Sequence, residues 1–241
     1  MMRKTLVALS IVFLLVVIPG CFYSLFFWSP EPRWDQSPDA LIISVVPMYQ
    51  EIDYNYIPDF RVWGDGRIVW VEHLAIGGRK VYEGYLSHDE MEQIIVDFIE
   101  ADFFKGYELF NNKDYAFDHL DIDLLDVARS ELIDRENEEV FALVNLLKQG
   151  AGVTAEEYSP ERATLHAILL DETSLPKGLI PQYVWPDDQF GYTLSPELVR
   201  EISSNDLLFA WEIVNSTHPI VESNSEYFWI AITIPGITYF D

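Results

Sequence analysis

Four aspartates crowd one short stretch of the chain: Asp118, Asp121, Asp123 and Asp126. Asp121 and Asp123 alternate with Leu120, Ile122 and Leu124, the period of a strand with one face in water. Alternate strand residues stand about 7 Å apart on one face, so these two carboxylates could share a divalent cation with a third oxygen ligand. The run lacks the Asp-x-Asp-x-Asp-Gly spacing and the closing Glu of a calcium loop. The plainer reading is a solvated strand face whose charges discourage edge-to-edge pairing. Asp187-Asp188, just after Trp185 in a proline-rich stretch over residues 171–193, is a second acidic point. Carboxylates beside a tryptophan suit a sugar cleft, where two carboxyl groups flank the bond to be cleaved.

Other chemistries lack their residues. His73, His88, His119, His166 and His218 show no metal-binding spacing such as His-x-x-x-His. There is no Gly-x-Ser-x-Gly elbow and no glycine loop for phosphate. Cys21 is the sole cysteine, which removes thiol chemistry from everything downstream. No cofactor is implied, and an enzyme becomes the lesser reading.

A candidate interaction patch lies in a hairpin. Residues 59–63 and 67–71 flank Gly64-Asp65-Gly66, and Asp-Gly supplies the positive φ angles of a tight turn. With Asp65 and Gly66 as a two-residue loop, Trp63 pairs with Ile68 and Arg61 with Trp70. Phe60, Val62, Val69 and Val71 then fall on the other side. Both faces are apolar, whereas a half-exposed sheet keeps one polar face. The Arg61, Trp63, Ile68, Trp70 face is therefore either covered by the protein's own segments or open to a partner, with Arg61 stacked on Trp70.

The N-terminus speaks of compartment. Arg3 and Lys4 precede an apolar run from Leu6 to Ile18, the layout of a secretory signal. The run closes on Val17-Ile18-Pro19-Gly20-Cys21, which looks like a bacterial lipobox with Cys21 as the lipidation site. Several acyl chains hold firmly at about 0.8 kcal/mol per buried methylene. The alternative is an uncleaved anchor: Leu6 to Trp28 is long enough to span a bilayer core of about 30 Å, with Trp28 at its outer interface. A cleaved plain signal is the third. In the first two cases Arg3 and Lys4 stay cytoplasmic and the rest faces outward.

Charge narrows the partners. The chain carries 15 basic and 40 acidic residues, net −25. Taking away Arg3 and Lys4 leaves 13 against 40, or −27 from Cys21 onward. Such a surface repels nucleic acid. It suits contact with the membrane only through the N-terminus, and otherwise an envelope protein or polymer. The 49% hydrophobic and 15% aromatic content is that of a chain with a packed core.

The elements that would position these residues read as α+β: antiparallel sheet with helices packed on one side, behind the anchor. Residues 1–28 form the signal or anchor, 29–39 a proline-rich extended stalk, and 40–241 the exported domain, with halves at 40–150 and 162–241. Strands are expected over 41–46, 81–85, 120–124, 130–134, 164–170 and 227–234. Ser87 and Glu90 make a capping box for a helix over 88–101, and Asn137 caps another through Lys148. Ser195-Pro196 opens a third helix, and Asn205 caps a fourth with Leu208 and Trp211 inward.

The stretch from Pro58-Asp59-Phe60 through the Gly-Asp-Gly hairpin, strand and Leu-Ser-x-x-Glu helix to Phe103-Phe104, behind a lipobox, resembles uncharacterised bacterial cell-envelope lipoproteins. The resemblance implies compartment and an α+β fold, and carries no activity. The expected function is a membrane-anchored extracytoplasmic binding or interaction module. The alternatives are a hydrolase of carbohydrate or envelope polymer, and a calcium-dependent adhesion or assembly domain.

Overall fold

The computed structural model describes residues 32–47, 55–105, 118–133, 137–171, 182–196 and 198–238. The expected signal, Cys21 and the opening of the expected stalk lie outside them. Trp34 begins a compact unit that runs to Asp241.

Antiparallel pairing builds a first sheet from β1 (Leu41–Pro47), β2 (Phe60–Trp63), β3 (Arg67–His73), β4 (Arg79–Tyr85), β5 (Asp118–Asp123), β6 (Ala128–Ile133) and β7 (Glu156–Glu157). Their order is β6-β5-β1-β2-β3-β4-β7. A second sheet joins β8 (Arg162–Leu170), β9 (Tyr183–Val184), β10 (Leu198–Ser203), β11 (Ile220–Ser223) and β12 (Glu226–Thr233) in the order β10-β8-β12-β11-β9. Only β9 and β11 run parallel among the described pairs. The helices are α1 (His88–Glu100), α2 (Glu138–Lys148), the single turn α3 (Asp187–Phe190) and α4 (Ser204–Val214). The α+β class with antiparallel sheet is as expected.

Two apolar cores lie on the two faces of the first sheet. On one, Met91, Ile94, Ile95 and Phe98 of α1 and Val140, Val144 and Leu147 of α2 pack on Ile43, Val45, Phe60, Val62, Ile68, Leu120 and Ile122. Every fourth or third position of each helix turns inward, as an amphipathic helix requires. Burying each such side chain contributes about 1.5–3 kcal/mol. Ser87 accepts from the Glu90 N–H while the Glu90 carboxylate accepts from the Ser87 N–H at 2.7 Å, so the expected capping box forms. Asn137 caps α2 through the Val140 N–H. On the other face, Trp63, Val69, Val71 and Val81 meet Leu165, Ala167, Phe228, Ile230 and Ile232 of the second sheet and Leu207, Ala210 and Ile213 of α4.

Three expectations give way. Trp34 is buried in the first core and donates from Nε1 to the Gly64 carbonyl at 2.9 Å, so the expected stalk is pinned to the domain at Trp34, while Asp35, Gln36, Pro38 and Asp39 stay exposed. Residues 198–203 form a strand, because pairing from Leu198–Ala167 to Ser203–Arg162 outweighs the helix-opening signal of Ser195-Pro196. Helix α4 follows with Ser203, not Asn205, at its N-cap. It buries Leu207, Ala210, Ile213 and Val214 and leaves Leu208 51% exposed.

Candidate functional site

The hairpin patch is the first correction. Phe60 pairs with Trp70, Arg61 with Val69 and Val62 with Ile68, one residue out of step with the expected register. The loop holds three residues: the Gly66 N–H donates to the Trp63 carbonyl at 3.0 Å and Gly66 sits at φ +88, a turn closed by a left-handed glycine. A one-residue slip turns a strand over. Ile68 and Trp70 therefore join Phe60 and Val62 under the helices, and Trp63 faces the second core. Trp63 and Trp70 are 4% and 6% exposed and Ile68 is fully enclosed, so Arg61, Trp63, Ile68 and Trp70 form no surface patch. Arg61 donates to the Gly236 carbonyl at 2.8 Å. Arg67, not Arg61, lies over an indole, 4.9 Å from the Trp63 ring.

At the entry to this hairpin, Asp59 takes Lys148 Nζ at 2.8 Å and faces His73 Nε2 at 3.7 Å. Burial alone would raise this carboxyl, but the hydrogen bonds and charges of His73 and Lys148 bring it below its ordinary value. The group ties the end of α2 to the sheet.

On the acidic strand, Asp121 and Asp123 share a strand face as expected, yet no group of three or more potential ligands gathers there or elsewhere among the described residues. What the register does assemble is unexpected. Asp121 stands across from Ser130, His119 Nδ1 lies 3.3 Å from the Asp121 carboxylate, and His119 Nε2 lies 2.9 Å from Ser130 Oγ. With the proton on Nδ1, this is the order of nucleophile, base and orienting acid. The surroundings differ from those of a hydrolase. His119 and Asp121 keep 40% and 47% of their side-chain surface in water, and Ser130 is exposed. Water screens the charge that a triad must hold in a dry site.

The Trp185 region does come together. Trp185, Asp187, Asp188, Gln189, Thr193 and Asn224 line an open depression of about 550 Å³, and Ser223 Oγ donates to Asp187 at 3.1 Å. Trp185 itself is 2% exposed, wedged among Phe190, Tyr192 and Phe209. Its Nε1 is buried without a hydrogen bond. An indole held this way cannot serve as a stacking platform for a sugar ring. Tyr192 nearby donates to Asp206, and burial, reinforced by that carboxylate, pushes its hydroxyl well above the ordinary range.

The open apolar surface lies elsewhere, on the outer face of the second sheet. Val199 pairs with His166, Ile168 with Trp229, and Leu170 with Tyr227. Tyr227 pairs in turn with Glu222, and Glu222 with Val184. Directly paired residues share a face, so Val199, Ile168, Leu170, Trp229, Tyr227 and Val184 stand together. Leu165, Phe228 and Ile230 point the other way into the core. Val199 is 63% exposed, Val184 67% and Ile168 39%, while Leu170, Trp229 and Tyr227 are half-buried. Burial on this side depresses the His166 imidazole, which bonds Thr233 Oγ1 at 3.1 Å. Nothing in the sequence singled out this face: β8 reads Arg-Ala-Thr-Leu-His-Ala-Ile-Leu-Leu, apolar on both sides at its end.

No protein-family model, curated protein or solved structure matches the chain. Among the described residues no helix is long and apolar enough to cross a membrane.

Proposed function

We propose that the chain is a membrane-anchored, extracytoplasmic interaction module of a bacterial envelope. Its docking surface is the outer face of the second sheet. The observation that carries this reading is the shared exposed face of Val199, Ile168 and Val184 beside Trp229 and Tyr227. An antiparallel sheet with one face in water keeps that face polar, and a contiguous exposed apolar patch marks a surface that meets something else. The anchor rests on the signal-like run before Cys21.

Two measurements test the two halves. Fatty-acid labelling of the wild type and Cys21→Ala distinguishes the anchors: label lost in the variant means a lipid on Cys21, and label absent from both means a spanning segment. A chain recovered with the soluble fraction in both forms contradicts anchoring altogether. For the surface, the combined Ile168→Ser and Val199→Ser variant should fold with unchanged secondary structure and leave the larger complex that the wild type occupies on a native gel. An unchanged migration would remove this face from consideration.

Hydrolysis has the Ser130, His119 and Asp121 arrangement in its favour, but that cluster is open to water and stands apart from the residues that line the depression.

A further inference from the structure

Two acids on the docking face point to the class of its occupant, and we infer that it receives a protein segment with an apolar centre and cationic ends. This inference rests on the docking reading above and goes beyond it by naming the partner's chemistry. The exposed apolar residues run diagonally from Val199 on β10 through Ile168 on β8 to Tyr227 and Trp229 on β12, with Val184 of β9 beyond Glu222 of β11. Two carboxylates stand on the same face. Glu201 shares the outer face with Val199 on β10, across from Thr164. Glu222 lies between Tyr227 and Val184, one strand in from the opposite edge. Strand spacing of about 4.8 Å and a rise of about 3.3 Å per residue put these two acids about 14 Å apart across the sheet and about 20 Å along it. An extended segment of about eight residues spans that diagonal. Its apolar centre would cover Ile168 and Trp229, and a lysine or arginine at each end would meet a carboxylate.

Net charge decides among other occupants. At −25 overall, a second copy of the chain brings like charge to like. A membrane surface rich in anionic headgroups is repelled in the same way. A basic segment is drawn in by both the local acids and the overall field.

The test uses the intact chain in detergent and a short synthetic peptide with two lysines at each end of an apolar centre. A glutamate-ended analogue and the oligomeric state of the chain alone serve as comparisons. The lysine-ended peptide should bind saturably, and binding should weaken at least tenfold in Ile168→Ser with Val199→Ser and again in Glu201→Gln with Glu222→Gln. Neutralising two exposed acids on α2, Glu138→Gln with Glu139→Gln, should leave it within twofold. Equal weakening by the α2 pair, or no saturable binding, overturns the inference as bulk charge attraction or none. If the glutamate-ended peptide binds equally well and still depends on Ile168 and Val199, the docking face stands and the basic occupant falls. Self-association abolished by the Ile168 and Val199 changes likewise overturns the basic occupant and makes the face an interface between copies of the chain.

Discussion

The side chain of Asn55 stands in for a missing strand beside Ile232. Its Oδ1 accepts from the Ile232 N–H at 3.0 Å, while its Nδ2 donates to the Ile230 carbonyl at 2.8 Å. Strand β11 pairs with β12 from Glu226 to Trp229, and the Ile230 N–H still reaches the Pro219 carbonyl; the Ile230 carbonyl and the Ile232 N–H then take the Asn55 amide in place of a strand. Arg79 in turn donates to the Asn55 carbonyl and to Asn215 Oδ1. One residue before the first hairpin thus joins the tip of β3-β4, the end of α4 and the second sheet.

Asn55→Ala should therefore be costly for a single polar side chain. It leaves a buried N–H and a buried carbonyl unsatisfied, at about 1–3 kcal/mol for each such group. A loss of about 3 kcal/mol lowers Tm by about 6–12 °C in a unit of this size. A fall of under 2 °C in a thermal melt would mean that water replaces the amide at no cost.

The Asp59 cluster gives stability a pH signature. Because His73 and Lys148 hold the folded carboxyl below its ordinary value of 3.8, the stabilisation is fully present above that value. It is lost as pH falls through the lower folded one. Asp59→Asn should cost about 1–2 kcal/mol at pH 7, and the gap between the two melting curves should begin to narrow as pH falls below about 4. A gap that stays constant from pH 7 to pH 3 would show that the charge of Asp59 plays no part.

Two glycines separate backbone strain from contact. Gly66 and Gly152 both sit at positive φ, +88 and +78, but a Cβ on Gly66 would lie 2.2 Å from the Leu86 carbonyl oxygen while one on Gly152 would meet nothing within 4 Å. Gly152→Ala should cost about 1 kcal/mol from conformation alone. Gly66→Ala should cost at least about 2 kcal/mol more, because the hairpin turn and the start of α1 must move apart. Equal losses in urea titrations would mean the loop relaxes freely.

Ser130 should behave as an ordinary surface serine. Incubation with a fluorophosphonate probe should leave no adduct on it, and Ser130→Ala should change stability by less than about 0.5 kcal/mol. An adduct at Ser130 that disappears in His119→Ala would make the chain a serine hydrolase after all.

The parts of the fold written in local chemistry were legible in the sequence. Ser87 and Glu90 announce α1, Asn137 announces α2, and the alternation around Asp121 and Asp123 announces β5, because caps and strand periods act within a few residues. The hairpin register was harder. Gly64-Asp65-Gly66 accommodates a two- or three-residue loop, and only the bond from the Gly66 N–H to the Trp63 carbonyl selects the longer one. That single residue decides whether Trp70 meets the helices or the second core. Ser195-Pro196 misleads for a different reason: β10 is a strand because β8 is beside it, and long-range pairing overrides local preference. The outer face of the second sheet was hidden altogether. Val199, Ile168 and Val184 come from three separate segments, and only register brings them together. Asn55 left no signal either, since one asparagine in an irregular stretch looks like any turn residue.

The docking face is tested most directly by photo-crosslinking in the cells that make the protein. A photoreactive residue is placed in turn at Val199, at Ile168, and at Gln93 on the exposed side of α1. Docking at the outer face of the second sheet predicts a discrete adduct of higher mass from positions 199 and 168, and none from 93. Adducts from all three positions alike, or from none, would contradict it.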